Sequence, residues 1–188
     1  MDIAAATPAE LTDFWFGLSP QRWFGKDPAF DAELAARFAA LVETALQGGL
    51  KEWLSTPSGT LAYLLLTDQM PRNLFRDSAR AFAGDALALA AAQQAVDAGF
   101  DRALTPIERV FMYLPFEHAE DLAQQDRSVA LFERLAAESP ASAGYLDYAL
   151  RHREVIARFG RFPHRNHLLG RESTAEEASY LAQPGAGF

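Results

Sequence analysis

Prolines that directly follow a Ser, Thr or Asp constrain the fold of this chain more than any other feature. Our prediction of helix starts rests on five of the six such pairs, which are Thr7-Pro8, Asp27-Pro28, Thr56-Pro57, Thr105-Pro106 and Ser139-Pro140. A short polar side chain caps the first N–H groups of a helix, and proline suits the first helical position because its missing N–H would have no partner there. Each pair therefore predicts the start of a helix.

Other local signals also favour helices. Three threonines are followed three residues later by a glutamate, the spacing of a capping box: Thr7 with Glu10, Thr105 with Glu108, and Thr174 with Glu177. Apolar side chains in residues 31–46 recur at the three- and four-residue spacing of one helical face, and no stretch alternates as a strand does. We predict an all-α fold of seven to nine helices in a single domain, residues 1–188, with a frayed tail at about 183–188.

The three Thr-Pro starts also predict how the helices are arranged. They lie 49 residues apart, and each precedes a block of aromatic and apolar residues. Such spacing is typical of stacked antiparallel helix pairs in a tetratricopeptide-like superhelix, since a single pair cannot bury its own apolar face. The alternative is a chance spacing of a common capping signal.

Composition excludes several functional classes. The chain has no cysteine, which excludes disulfides and thiolate chemistry. Its N-terminus lacks the basic start of a signal peptide and its apolar runs are too short to cross a membrane, so we predict a cytoplasmic, bacterial protein without a membrane partner.

The net charge of -8, without a basic stripe, predicts no nucleic-acid partner. No phosphate-loop, dinucleotide or hydrolase motif occurs, and we predict no cofactor and no metal.

Residues 67–77, TDQMPRNLFRD, form the first candidate segment. Pro71 is expected to end the preceding helix. Arg72 and Arg76 stand four residues apart, so on a helix their charges would repel each other. We therefore expect an anion beside them, either a carboxylate of the chain, Asp68 or Asp77, or a ligand.

The second candidate segment is YLPFEHAED, residues 113–121. It places His118 between Glu117 and Glu120, and a histidine among acids can serve as a general acid or base near neutral pH. Acidic residues are also common in the first turn of a helix for purely structural reasons. The sequence leaves both interpretations open.

The third candidate segment, RFGRFPHRNHLLGR, is strongly basic in an acidic chain. Residues 151–171 contain six arginines and one glutamate, a formal charge of +5, so the rest of the chain carries -13. Gly160 and Pro163 predict that a helix ends here. Guanidinium groups suit carboxylates and phosphates equally well. The segment is therefore either an anion pocket or an internal clamp that pairs with acids such as Asp68, Glu117 and Asp121.

Several of these stretches together resemble a known family. The ordered motifs DFWFG, RWFGKDPAFD, GTLAYLLLTDQMPRNLFRD, FMYLPFEHAED, RHREVIARFGRFPHRN and LGRESTAEE, between about Asp13 and Leu181, resemble the bacterial domain of unknown function 924. The resemblance implies an all-helical, tetratricopeptide-like fold without an established activity. Met70 stands where the family usually has phenylalanine, which is an apolar exchange.

We predict that residues 68–76, 117–121 and 158–171 converge on one concave site, which binds a small anionic molecule or a peptide. The predicted ligand-binding residues are Asp68, Gln69, Arg72, Asn73, Arg76, Arg161, His164, Arg165, Asn166 and Arg171. An alternative is an enzyme with acid–base chemistry, whose candidate catalytic residues are His118, His164, Glu117 and Glu120. A second alternative is a buried ion-pair network that binds nothing.

Overall fold

The protein is all-α. The computed structural model describes residues 6–187, and in that range the backbone forms helices and turns without any β-strand. The α-helices are α1 (Pro8–Phe16), α2 (Pro20–Phe24), α3 (Pro28–Leu46), α4 (Pro57–Leu64), α5 (Met70–Leu74), α6 (Asp85–Asp97), α7 (Pro106–Glu117), α8 (Leu122–Glu138), α9 (Ala143–Phe159) and α10 (Ala175–Leu181). A π-helical turn, Leu65–Gln69, joins α4 to α5 without a break. Residues 6–187 thus contain nine continuous helices, and the predicted all-α class is confirmed.

The predicted helix starts are present at four of the five proline pairs. Proline is the first residue of α1, α3, α4 and α7. The capping boxes of Thr7 and Thr174 are complete, with reciprocal hydrogen bonds to Glu10 and Glu177. Pro140 is the exception, because it begins a 3₁₀ turn and α9 starts only at Ala143. Local capping chemistry therefore sets most of the helix boundaries.

The chain forms two compact units. The first unit comprises the residues up to 76 together with residues 80–115, and the second comprises residues 77–79 and the residues from 116 onward. Helix α7 belongs to the first unit up to Pro115 and to the second from Phe116. The single domain and the stacking of helix pairs stay predictions.

The first unit has an aromatic core. Trp15, Phe30, Phe38 and Phe111 are almost completely buried, and the rings of Trp15 and Phe111 meet edge to face with centroids 5.8 Å apart. Trp23 donates a hydrogen bond from Nε1 to the Trp15 carbonyl oxygen (2.9 Å), which satisfies its polar atom inside the core. The N-terminal aromatic motifs of the sequence thus serve packing.

Pro71 does not end its helix, contrary to the expectation from the sequence. The π-helical turn before it closes with a hydrogen bond from Met70 N–H to Leu65 O, five residues back. Pro71 has no N–H for the Thr67 carbonyl one turn earlier, and that carbonyl lies against the backbone of Gly84. Because one extra residue is inserted ahead of the proline, the helix accommodates it and continues to Leu74.

The second unit is built on a helical hairpin. The short connection after Glu138 turns the chain back, so that α8 and α9 pack along each other. Val155, Ile156 and Phe162 form a buried apolar cluster at the end of α9, with Phe159 and Tyr180 packed against it. The chain leaves α9 at Gly160, where its end was predicted, and enters the arginine-rich segment. No helix within residues 6–187 is long and apolar enough to cross a membrane.

Candidate functional site

The arginines of the first candidate segment are paired with aspartates of the first unit. Arg72 binds Asp85 through two hydrogen bonds of 2.8 and 3.1 Å and also donates to the backbone carbonyl of Asp68 (2.5 Å). Arg76 binds both carboxylate oxygens of Asp31, which also accepts a hydrogen bond from Asn73 (2.8 Å). The anions expected beside these arginines are therefore carboxylates of the chain itself.

The pKa of Asp31 reflects this pairing. Burial opposes ionisation of Asp31, but the hydrogen bonds from Arg76 and Asn73 outweigh it and hold the pKa below its ordinary value. Asp68 is almost completely buried, and its Oδ2 accepts a hydrogen bond from the Gln69 side chain (2.5 Å). These contacts support the interpretation that Arg72 and Arg76 pair with carboxylates of the chain rather than with a ligand.

The acids of the second candidate segment lie in the second unit and differ in role. Glu117 is almost completely buried, and its Oε1 lies 3.2 Å from Nδ1 of His152. Glu120 accepts hydrogen bonds from both Nη atoms of Arg171 (2.6 and 2.9 Å) and from Phe162 N–H (2.7 Å). Asp121 caps α8 by accepting from Gln124 N–H. Glu120, rather than Glu117 or Asp121, is thus the partner of Arg171.

Glu177 accepts hydrogen bonds from residues of the third segment, although the sequence did not predict it as their partner. It accepts hydrogen bonds from Arg161 Nε (2.6 Å) and Nη2 (2.8 Å) and from Thr174 N–H (2.7 Å), and Asn166 Nδ2 lies 3.4 Å away. Arg161 lowers the pKa of Glu177 to about 2, and the other donors act in the same direction. The sequence signal was present in the capping box, because its glutamate is the residue that receives Arg161.

The pKa of Glu120 is also low. Burial opposes its ionisation, but the hydrogen bonds from Arg171 and Phe162 N–H hold the pKa below its ordinary value. Arg171 donates in addition to Asn166 Oδ1 (2.9 Å). Arg161, Arg171 and Asn166 are therefore joined to carboxylates of the second unit in one network.

A cluster of imidazoles and one guanidinium surrounds the buried ring of Phe162. The rings of His152 and His164 lie 5.5 and 5.6 Å from the Phe162 ring, measured between centroids, and the Arg165 guanidinium lies 4.5 Å from it. The His118 ring lies 6.3 Å from that of His152. We call these five residues the histidine cluster. It brings together the two candidate catalytic histidines, His118 and His164, and the predicted ligand residue Arg165.

His152 is neutral at physiological pH. Burial lowers its pKa to about 3, and its neighbours His118, Arg165 and His164 act in the same direction. Its Nδ1 is 2.8 Å from the Tyr148 carbonyl oxygen, so that nitrogen carries the hydrogen and donates. His152 escaped notice in the sequence because it stands in the middle of α9 with no local motif around it.

An open groove lies where α9 ends and α10 begins. Its cavity volume is about 370 Å³, and it is lined by Arg158, Phe159, Arg161, Thr174, Glu176 and Glu177. Arg161 is the only member of the predicted ligand-binding set in this lining. Among residues 6–187, no group of three His, Asp or Glu side chains is arranged to hold a metal ion.

Comparison with known proteins shows where this chain belongs. Its residues 11–185 match the family described as "Bacterial protein of unknown function (DUF924)". The solved structure of the "Protein of Unknown Function ATU0120 from Agrobacterium tumefaciens" is 44% identical over 94% of this chain and 97% of that chain, with a TM-score of 0.87. No curated protein matches the sequence. The resemblance seen in the motifs is confirmed, and the chain belongs to the DUF924 family of bacterial proteins.

Proposed function

We propose that the second unit binds a small anionic molecule, or an acidic group of a peptide, in the groove at the end of α9. The observation that carries this proposal is an open cavity of about 370 Å³ lined by two arginines that keep unused N–H groups. The volume exceeds the roughly 300 Å³ at which small-molecule sites begin. The ligand chemistry is that of a carboxylate or phosphate group, which guanidinium groups recognise.

The unused donors follow from the hydrogen bonds that each arginine makes. Arg158 binds Glu176 Oε1 through Nε alone (2.9 Å), and neither of its Nη atoms donates to the described part of the chain. Arg161 uses Nε and Nη2 for Glu177 and for the Glu172 carbonyl, and its Nη1 makes no bond with residues 6–187. Both guanidinium groups can therefore donate to an anion in the groove while their present pairs persist.

The two ion pairs of the groove differ in strength. The side chains of Arg158 and Glu176 are 48% and 63% exposed, and such a surface pair contributes little to stability. Glu177 is only 3% exposed and fixes Arg161 firmly. An incoming anion can thus displace Glu176 from Arg158 at small cost, while Arg161 is held in a preorganised orientation.

The groove also offers an apolar surface beside these charges. The Arg158 guanidinium lies 4.7 Å from the Phe159 ring, and the rings of Phe159 and Tyr180 are 5.2 Å apart. Partly buried aromatic rings next to charged donors suit an anion that carries an apolar group. We therefore expect an aromatic or aliphatic anion to bind more tightly than inorganic phosphate.

The proposal is tested by calorimetric titration with phenyl phosphate, benzoate and inorganic phosphate. Arg158→Gln should weaken binding about tenfold or more, because a charge-assisted hydrogen bond contributes roughly 1.5–3 kcal/mol. Arg153→Gln is the matched control, since Arg153 lies on the same helix as Arg158 and is similarly exposed, but pairs with Asp126 of α8 and does not line the groove. Equal weakening in both variants, or no binding of any probe, would refute the groove as the site.

The acid–base alternative gains no support from His152. An imidazole with a pKa of about 3 is a weak base at neutral pH. The catalytic roles of His118 and His164 stay predictions, and the same titrated samples show whether phenyl phosphate is hydrolysed.

A further inference from the structure

The charges that line the groove at the end of α9 cancel each other. Its charged lining consists of two arginines, Arg158 and Arg161, and two glutamates, Glu176 and Glu177. A ligand that is only an anion would leave the occupied groove with an excess negative charge, close to carboxylates that repel it. A ligand with one positive and one negative charge would keep the sum at zero. The charge balance of the lining therefore favours a zwitterion over a simple anion.

The two glutamates differ in whether they can accept a further hydrogen bond. Glu177 is buried, and both of its carboxylate oxygens already bind Arg161. Glu176 is exposed and binds Arg158 Nε through Oε1 alone. Its Oε2 accepts no hydrogen bond from residues 6–187. Glu176 is therefore the carboxylate of the groove that can accept a hydrogen bond from a ligand.

This unused acceptor lies beside unused donors. The hydrogen bond between Arg158 Nε and Glu176 Oε1 (2.9 Å) holds the two charged groups together. The Nη atoms of Arg158 share a carbon with its Nε, and Oε2 of Glu176 shares a carbon with its Oε1, so all of them lie within a few ångströms of that bond. A ligand that meets both must carry its opposite charges on neighbouring groups. An α-amino acid does so, because its ammonium and its carboxylate are attached to the same carbon.

We propose that the groove binds a free α-amino acid with an apolar side chain. This inference rests on the proposed function of the groove and names its ligand. The ligand carboxylate accepts hydrogen bonds from the unused N–H groups of Arg158 and Arg161, and the ligand ammonium donates to Oε2 of Glu176. The apolar side chain packs against Phe159, which is partly buried and lines the same groove.

Glu176 is the residue that distinguishes this ligand from other anions. A simple anion meets the charge of Glu176 without compensating it, whereas an amino acid makes a charge-assisted hydrogen bond to it. The ammonium group should therefore strengthen binding, and the gain should depend on the Glu176 carboxylate.

The first test compares L-phenylalanine with 3-phenylpropionate, the same molecule without its ammonium, by calorimetric titration at pH 7. L-Phenylalanine should bind about tenfold more tightly, because a charge-assisted hydrogen bond contributes at least that much. If 3-phenylpropionate binds as tightly as L-phenylalanine, the amino acid is refuted as the ligand while the anion site of the proposed function stands. If neither compound binds, both fail.

The second test repeats both titrations with Glu176→Gln. The preference for L-phenylalanine should fall to about twofold or less, while 3-phenylpropionate should bind as tightly as before or more tightly. Glu172→Gln is the matched control, since Glu172 is an exposed glutamate in the residues before α10 and does not line the groove. It should keep the preference. A preference that survives in Glu176→Gln, or that is lost equally in Glu172→Gln, would overturn the role of Glu176.

Two further ligands test the remaining parts of the proposal. Glycine should bind at least about tenfold more weakly than L-phenylalanine, because it has no side chain to pack against Phe159. Equal binding of glycine would contradict the requirement for an apolar side chain. N-Acetyl-L-phenylalanine, in which the ammonium is replaced by an amide, should also bind more weakly. Tighter binding of this compound would replace the free amino acid by the carboxyl end of a peptide.

Discussion

Replacing Glu177 by glutamine removes the charge of the carboxylate that binds Arg161, the Thr174 N–H and Asn166. The difference between an ordinary glutamate pKa of 4.5 and about 2 corresponds to about 3 kcal/mol of stability at neutral pH. Because the pKa is lowered on folding, this stabilisation is complete above pH 4.5 and is lost as the pH falls toward 2. Glu177→Gln should therefore lower the free energy of unfolding by about 3 kcal/mol at pH 7.

The assay is urea denaturation followed by circular dichroism between pH 7 and pH 2. The difference between the two proteins should shrink below pH 4.5 and vanish near pH 2. Glu176→Gln is the control, because Glu176 is the adjacent residue and makes only the exposed pair with Arg158, so its effect should stay within about 0.5 kcal/mol. Equal effects of the two substitutions, or a difference that does not depend on pH, would refute the reasoning.

Two further predictions concern the first unit. Gly84→Ala should destabilise the protein by about 2 kcal/mol or more, because the new Cβ would collide with the Thr67 carbonyl oxygen and lie 2.8 Å from Leu46 Cδ2. Gly144→Ala in α9 is the contrasting control, with nothing within 4 Å of its Cβ, and thermal denaturation should show it neutral or stabilised by about 1 kcal/mol. Burial and the hydrogen bond to Asp101 raise the pKa of Tyr113 to about 12. In a spectrophotometric pH titration, Tyr113→Phe should therefore remove one tyrosine that ionises near the high-pH end. An unchanged signal at high pH would contradict this.

The helices were predictable because their signals are local. A capping threonine and the proline after it act within one turn, and the boundaries at Pro8, Pro57 and Pro106 followed from them. The prediction that Pro71 ends its helix was wrong because a π-helical turn precedes it, and the Thr67 carbonyl of that turn lies against Gly84, which is distant in sequence. The prediction that an α-helix starts at Pro140 was also wrong. The Ser139 side chain makes no capping hydrogen bond to the turn that follows it.

The candidate residues were predictable by type but not by partner. The need for an anion beside Arg72 and Arg76 followed from charge repulsion, yet their aspartates, Asp85 and Asp31, lie 13 and 45 residues away in sequence. Such pairings depend on how the helices pack, which charge patterns alone do not specify. Arg158 carries no local signal that separates it from the other arginines of its segment, because its groove exists only once α10 has folded against the end of α9.

The π-helical turn has a consequence for how the first unit tolerates changes of length. Before the turn, α4 packs on α1 and α6; after it, α5 packs on α3. Each residue of a helix rotates the chain by about 100°. The inserted residue therefore rotates the side chains of α5 relative to those of α4, so that the two parts of the helix face different neighbours. Deleting one residue within Leu65–Gln69 would swing Asn73 and Arg76 away from Asp31 while every side chain needed for the contact is still present. In this helix the number of residues carries structural information that their identities do not.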